Sequence, residues 1–167
     1  MRIILFPSAR RHFFLEHPFH LFYNETKSNG KDLEIIMKKE SPSLDLWLKE
    51  AKADPNAEKC GMYLAHNGIV RKTAKARVRF QEETAMDVKG MLFSYDDALV
   101  RKAVSETREL PGIYYVRVWL NEGELHLGDD IMFVLIGGDI RPHVVDALQA
   151  LVGNIKSNCV TEQEIYE

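Results

Sequence analysis

The chain has 167 residues, 46% hydrophobic and 28% charged, with a formal net charge of -3. That is enough apolar material for one domain with its own core, and the slight acidity gives no general electrostatic reason to bind nucleic acid or an anionic membrane. Cys60 and Cys159 stand far apart in no metal-ligand spacing, which argues against a disulfide framework and suits a reducing cytoplasm, and no apolar run approaches the roughly 20 residues of a membrane span.

The first 36 residues differ from the rest. They hold five of the eight Phe and three of the six His, without helical period or alternation. Met37-Lys38-Lys39-Glu40-Ser41-Pro42-Ser43 then looks like an ordinary protein start. Residues 1–36 therefore read as an optional or non-native leader or extension, and 37–167 as the domain. His12, His17 and His20 lie in no regular element that would fix metal geometry, so no metal and no cofactor is expected.

Within the domain, Leu44, Trp47, Leu48 and Ala51 follow the i, i+3, i+4, i+7 spacing of an amphipathic helix, with Ser43 as its N-cap and Pro55 beyond its end. Cys60 to Val70 and Arg77 to Phe80 read as strands around the basic run Arg71-Lys72-Thr73-Ala74-Lys75. Met86 to Tyr95 reads as a strand, Asp96 to Leu110 as a helix ended by Pro111-Gly112, and Ile113 to Leu120 as a strand leading into a turn at Asn121-Glu122-Gly123. Ile131 to Ile136 is continuously apolar, as in a strand buried on both faces, and Gly137-Gly138-Asp139 is expected to break it. A last helix carries Val144, Leu148, Leu151, Val152 and Ile155 on one face. The fold class is α+β, a mixed and mainly antiparallel sheet with packed helices.

Three basic residues are candidates for chemistry. Arg141 follows Gly137-Gly138-Asp139-Ile140 and precedes Pro142, where a helix start could receive a phosphate; equally, Asp139 could cap the helix and Arg141 be a solvated charge. Lys156 lies at the far end of the same helix, either as a partner of the helix dipole or as a partly desolvated amine available for proton or covalent chemistry. Arg71 ends the first long strand beside Lys72 and Lys75, in a solvated loop or an anion site. His66, His126 and His143 show no local triad pattern. On a straight helix Arg141 and Lys156 would stand about 22 Å apart, so a single site using both requires a second copy of the chain.

The order of these features resembles the large subunit of molybdopterin synthase. Asn67-Gly68-Ile69-Val70-Arg71 is similar to that family's strand ending in Gly-x-Val-Arg, and Gly123-Glu124-Leu125-His126-Leu127-Gly128-Asp129 to its Gly-x-Leu-x-x-Gly-Asp/Glu turn. The apolar strand, Arg141 and Lys156 follow at the family's interval, and the resemblance spans about residues 44 to 158. It implies sulfur transfer from the thiocarboxylated C-terminus of a small ubiquitin-like carrier subunit to cyclic pyranopterin monophosphate, forming molybdopterin. It implies Lys156 as catalytic, Arg71 and Arg141 as ligands of the anionic pterin, and a homodimer within a heterotetramer. The chain departs from the pattern in three places. Ile140 stands where the family has His before the arginine, Leu120-Asn121 where it has His-Arg, and Gln163 near its second active-site lysine. Those losses weaken anion binding and proton transfer, and leave a non-catalytic relative that binds the carrier or the pterin as the competing expectation.

Overall fold

The computed structural model describes residues 39–166, so the leader and its histidines lie outside the described residues. Helix α1 (Leu44–Lys52) starts where expected, with the Ser43 hydroxyl accepting from the Leu46 amide at 3.3 Å. Strands β1 (Met62–Ile69), β2 (Val88–Tyr95), β3 (Ile113–Leu120), β4 (Gly123–His126), β5 (Asp130–Gly138) and β6 (Val160–Tyr166) form two three-stranded sheets, ordered β1-β5-β3 and β4-β2-β6. Every strand pairing among the described residues is antiparallel. Helices α2 (Lys75–Phe80), α3 (Asp97–Arg108) and α4 (Arg141–Asn154) complete the α+β architecture, and a π-helical turn over Ile155–Cys159 extends α4.

The alternation of β5 explains its continuous apolarity. Met132, Val134 and Ile136 face the main core with Val144, Leu151 and Ile155 of the α4 region and Met91, Phe93 and Leu125 of the second sheet. Phe133 and Leu135 point the other way, onto Trp47 and Ala51 of α1. A strand covered on both faces needs no polar positions, and this one sits between β1 and β3.

Helix α3 begins on Asp96, whose carboxylate accepts from the Ala98 and Leu99 amides at 2.9 and 3.0 Å. Removing that cap should cost about 1 kcal/mol. Asp96→Ala is thus expected to lower the melting temperature by a few degrees; an unchanged value in thermal unfolding would show that tertiary packing alone holds the helix start.

Two expectations are corrected, and one strand appears that the sequence did not announce. Arg77 to Phe80 is helical, within α2: its alternation buries nothing, since Val78 and Phe80 are 53% and 71% exposed, while Ala74 just before the helix is in the core. Gly137 and Gly138 do not break the strand but complete β5, opposite Tyr63 and Met62 on one side and Tyr115 and Ile113 on the other. A Cβ on Gly137 would lie 2.5 Å from the Tyr63 ring, so glycine serves close packing there. Finally, the segment after the last helix is strand β6, which pairs with β2 from Val160 opposite Tyr95 to Tyr166 opposite Val88. Its partly buried positions Glu162 and Glu164 are charged, so the hydrophobic alternation that announces a strand is missing.

Candidate functional site

Helix α4 fixes the two ends of the chemistry. Arg141 is its first residue, exposed, with no side-chain partner among the described residues; Lys156 lies in the π turn two residues beyond its last. A helix of this length separates the two by about 20 Å, as the sequence required. Asp139 is not the helix cap. It sits one residue earlier, where its carboxylate accepts from the Ile140 amide at 2.6 Å and meets His143 Nδ1 at 2.8 Å, and the His143 contact foremost holds it below the ordinary carboxylate range.

At the other end, ionic groups from four elements converge. Lys156 Nζ donates to Glu162 Oε1 of β6 at 2.7 Å, and Lys75 Nζ of α2 donates to the other oxygen, Oε2. The Lys75 backbone amide in turn donates to the Glu164 carboxylate at 3.0 and 3.2 Å, which satisfies a free amide at the start of α2 where Ala74 provides no side-chain cap. His66 of β1 faces the same region, and its Nε2 is buried without a hydrogen-bond partner. The Glu162 side chain is only 8% exposed, whereas Lys75 and Lys156 are 32% and 35% exposed. The carboxylate is thus inside and the two ammonium groups open toward solvent.

The electrostatics follow from that layering. Burial pushes the Glu162 pKa up, but hydrogen bonds from Lys156 and Lys75 outweigh it and hold the group below the ordinary value of 4.5. Burial, and next the Lys156 charge, push His66 below 6.5, so the imidazole is neutral at pH 7. The sign of the linkage is the same for both. Folded His66 binds fewer protons than unfolded chain just below pH 6.5, and folded Glu162 fewer just below pH 4.5, so stability is lost as the pH falls through each window. Urea midpoints are expected to drop below pH 6.5, and His66→Gln to drop less in that window; equal slopes would assign the effect to another group.

Arg71 follows Val70, whose amide donates to the Asp129 carbonyl at 2.9 Å and whose carbonyl accepts from the Gly128 amide at 2.8 Å. The Gly-x-Val-Arg strand end and the Gly-Asp turn, 57 positions apart between Arg71 and Gly128, are therefore neighbours through the backbone. Arg71 itself is exposed, its Nε donating to the Thr73 carbonyl at 2.9 Å. The loop it opens ends at Lys75. The structure thus gathers Lys156 with Lys75, four residues on from Arg71, and leaves Arg141 at the opposite end of α4.

The residues that sequence reasoning missed are His66, Glu162 and Glu164, along with Lys75 as a partner of Lys156. No spacing announces them, because each comes from a different part of the chain except the i, i+2 pair on β6. The departures also have a physical reading. Leu120 and Asn121 are 3% and 1% exposed; Asn121 Nδ2 donates to the Asp130 carbonyl at 2.7 Å and its Oδ1 accepts from the Glu122 amide at 2.9 Å. They belong to the packing of the β3–β4 turn. Cys159 is buried, and that burial pushes its thiol pKa up, the opposite of an activated nucleophile. Among the described residues, no helix is long and apolar enough to cross a membrane.

With the geometry in view, the chain can be set beside known proteins. The family model described as MoaE protein matches residues 39–158, most of the chain. The chain belongs to the MoaE family. Its place is in molybdenum cofactor biosynthesis, in the family of the molybdopterin synthase large subunit. Solved structures agree in fold: molybdopterin synthase from Staphylococcus aureus is similar at 16% identity and a TM-score of 0.54, over 66% of this chain and 77% of that one. The molybdopterin biosynthesis MoaE protein from Burkholderia ambifaria gives 17% identity and 0.57, over 76% and 84%. The complex of subunits 1 and 2 of molybdopterin-converting factor from Helicobacter pylori gives 18% and 0.54, over 74% and 76%. The comparison with curated proteins finds no match.

Proposed function

We propose that this MoaE-family chain is the sulfur-transferring large subunit of a molybdopterin synthase, acting on cyclic pyranopterin monophosphate with a thiocarboxylated ubiquitin-like carrier. The observation that carries the reading is Lys156: the position matching the family's catalytic lysine holds a half-exposed ammonium anchored by the interior carboxylate of Glu162. Lys156 supplies the charge and the proton that sulfur transfer requires, and Arg71, on the loop leading to Lys75, binds the anionic pterin. Neutral His66, with its unpartnered Nε2, is a proton acceptor beside Lys156. Arg141 lies too far along α4 to serve the same site, so it acts on the site of a second copy in a homodimer, two carriers completing a heterotetramer.

The family likeness supports the small carrier as partner, since the Helicobacter pylori relative is a complex of two subunits. Ile140, 51% exposed where the family has His, favours the second reading, a relative that binds carrier or pterin without transferring sulfur. Mass spectrometry of the carrier separates the two. With protein and pterin present, its terminal thiocarboxylate should become a carboxylate at a catalytic rate; a carrier that binds yet keeps its sulfur would remove the enzyme reading.

A further inference from the structure

We propose that Lys75 is a second functional cation of this site, with Glu162 as the residue that positions it beside Lys156, so that the two ammonium groups together receive an oxyanion of the substrates. The inference rests on the sulfur-transfer reading of Lys156 and adds to it a residue from a different element. Four observations bear on it. The two ammonium groups each take one oxygen of a single carboxylate, which holds both of them around that one group. Lys75 is held twice by β6, at its amide by Glu164 and at its amine by Glu162, a degree of constraint that a solvated surface lysine does not have. Both lysines keep about a third of their side chains open to solvent while the carboxylate is closed off, so their remaining N–H donors are available on the outer side. Around Glu162 itself two cations face one anion, while Glu164 accepts from the Lys75 backbone amide and His66 is neutral at pH 7. The two lysines and two glutamates balance, so what the site offers is directed ammonium donors on its outer side. A second oxyanion, the phosphate of the pterin or the terminal carboxylate of the carrier, would take those donors in charge-assisted hydrogen bonds.

Steady-state kinetics of product formation, varying pterin and carrier separately, tests the assignment. Lys75→Ala should raise KM roughly 10- to 100-fold for one of the two substrates, the loss expected when a hydrogen bond to a charged group is removed. A raised KM for the pterin identifies the bound group as its phosphate; a raised KM for the carrier identifies it as the terminal carboxylate. Lys75→Arg should recover most of the loss, and Glu162→Gln should impair KM and kcat together while Glu162→Asp recovers part of both. A merely structural lysine would lower the melting temperature and leave KM alone. Lys75→Ala that stays folded with wild-type KM for both substrates, while Lys156→Ala is inactive, overturns the inference and leaves the sulfur-transfer reading intact. If the wild-type protein makes no product at all, that reading falls, and inorganic phosphate titrated against the ammonium resonances of 15N-lysine-labelled protein decides this one. Saturable shifts of Lys75 and Lys156 that vanish in Lys75→Ala uphold the oxyanion site; no response to phosphate overturns it.

Discussion

Replacing Lys156 with alanine is expected to lower the rate of sulfur transfer by about 100-fold or more, the loss typical of removing a positioned proton-transferring group. The protein should remain folded. Lys156 is about two-thirds screened by the structure around it, and Glu162 retains its second cation, Lys75, so the buried carboxylate is never left without a partner. The exposed side of the ion pair contributes about 1 kcal/mol at most. The loss should therefore fall on the catalytic rate while the urea midpoint moves little. Conversely, a variant that turns over at the wild-type rate would place the chemistry on another lysine, with Lys75 the first to examine.

The largest structural effect should come from a single methyl group at Gly138. This residue ends β5 between Met62 of β1 and Ile113 of β3, immediately before the turn into α4. A Cβ there would lie 2.4 Å from the Gly112 carbonyl oxygen and 2.7 Å from Val144 Cγ2. Gly112 cannot easily retreat, because its carbonyl accepts from the Asp139 amide at 2.9 Å and its own φ of 78° belongs to the left-handed region. Gly138→Ala is expected to cost about 3 kcal/mol, the upper end for overpacking, and roughly 10 °C of melting temperature. Because the strain sits at the entry to α4, it should also shift Arg141 and weaken activity. A melting temperature within a degree of wild type would show that the Pro111-Gly112 turn yields freely.

Much of the fold was legible because burial and periodicity coincide in it. Trp47 and Ala51 announce α1, the unbroken Ile131 to Ile136 run announces a doubly covered strand, and Val144, Leu151 and Ile155 announce the inner face of α4. The misreadings fall where that coincidence fails. Arg77-Val78-Arg79-Phe80 alternates in hydrophobicity without burying either apolar side chain, and so imitates a strand while forming a helix. In β6 the inverse occurs: Glu162 and Glu164 turn inward because lysines and a free backbone amide wait for them. No one-dimensional pattern distinguishes such glutamates from solvated ones.

The site divides in the same way. Arg71, Arg141 and Lys156 stood out through their places at element ends and through the family pattern, and the spacing along one helix already separated the last two. The partners of Lys156 were hidden, since His66, Lys75 and Glu162 are brought to it by tertiary pairing of β1, α2 and β6 around the core. The absence of the family's His before Arg141 was visible, but not that an ammonium from α2 shares the carboxylate of Glu162 with the lysine.

The most direct test is to mix the purified protein, a thiocarboxylated ubiquitin-like carrier and cyclic pyranopterin monophosphate, and to determine the pterin product by mass spectrometry. A pterin carrying two added sulfurs as a dithiolene, formed over many turnovers by the wild-type protein and not by Lys156→Ala, is the predicted result. Unchanged pterin, recovered while the carrier is demonstrably bound, would contradict it.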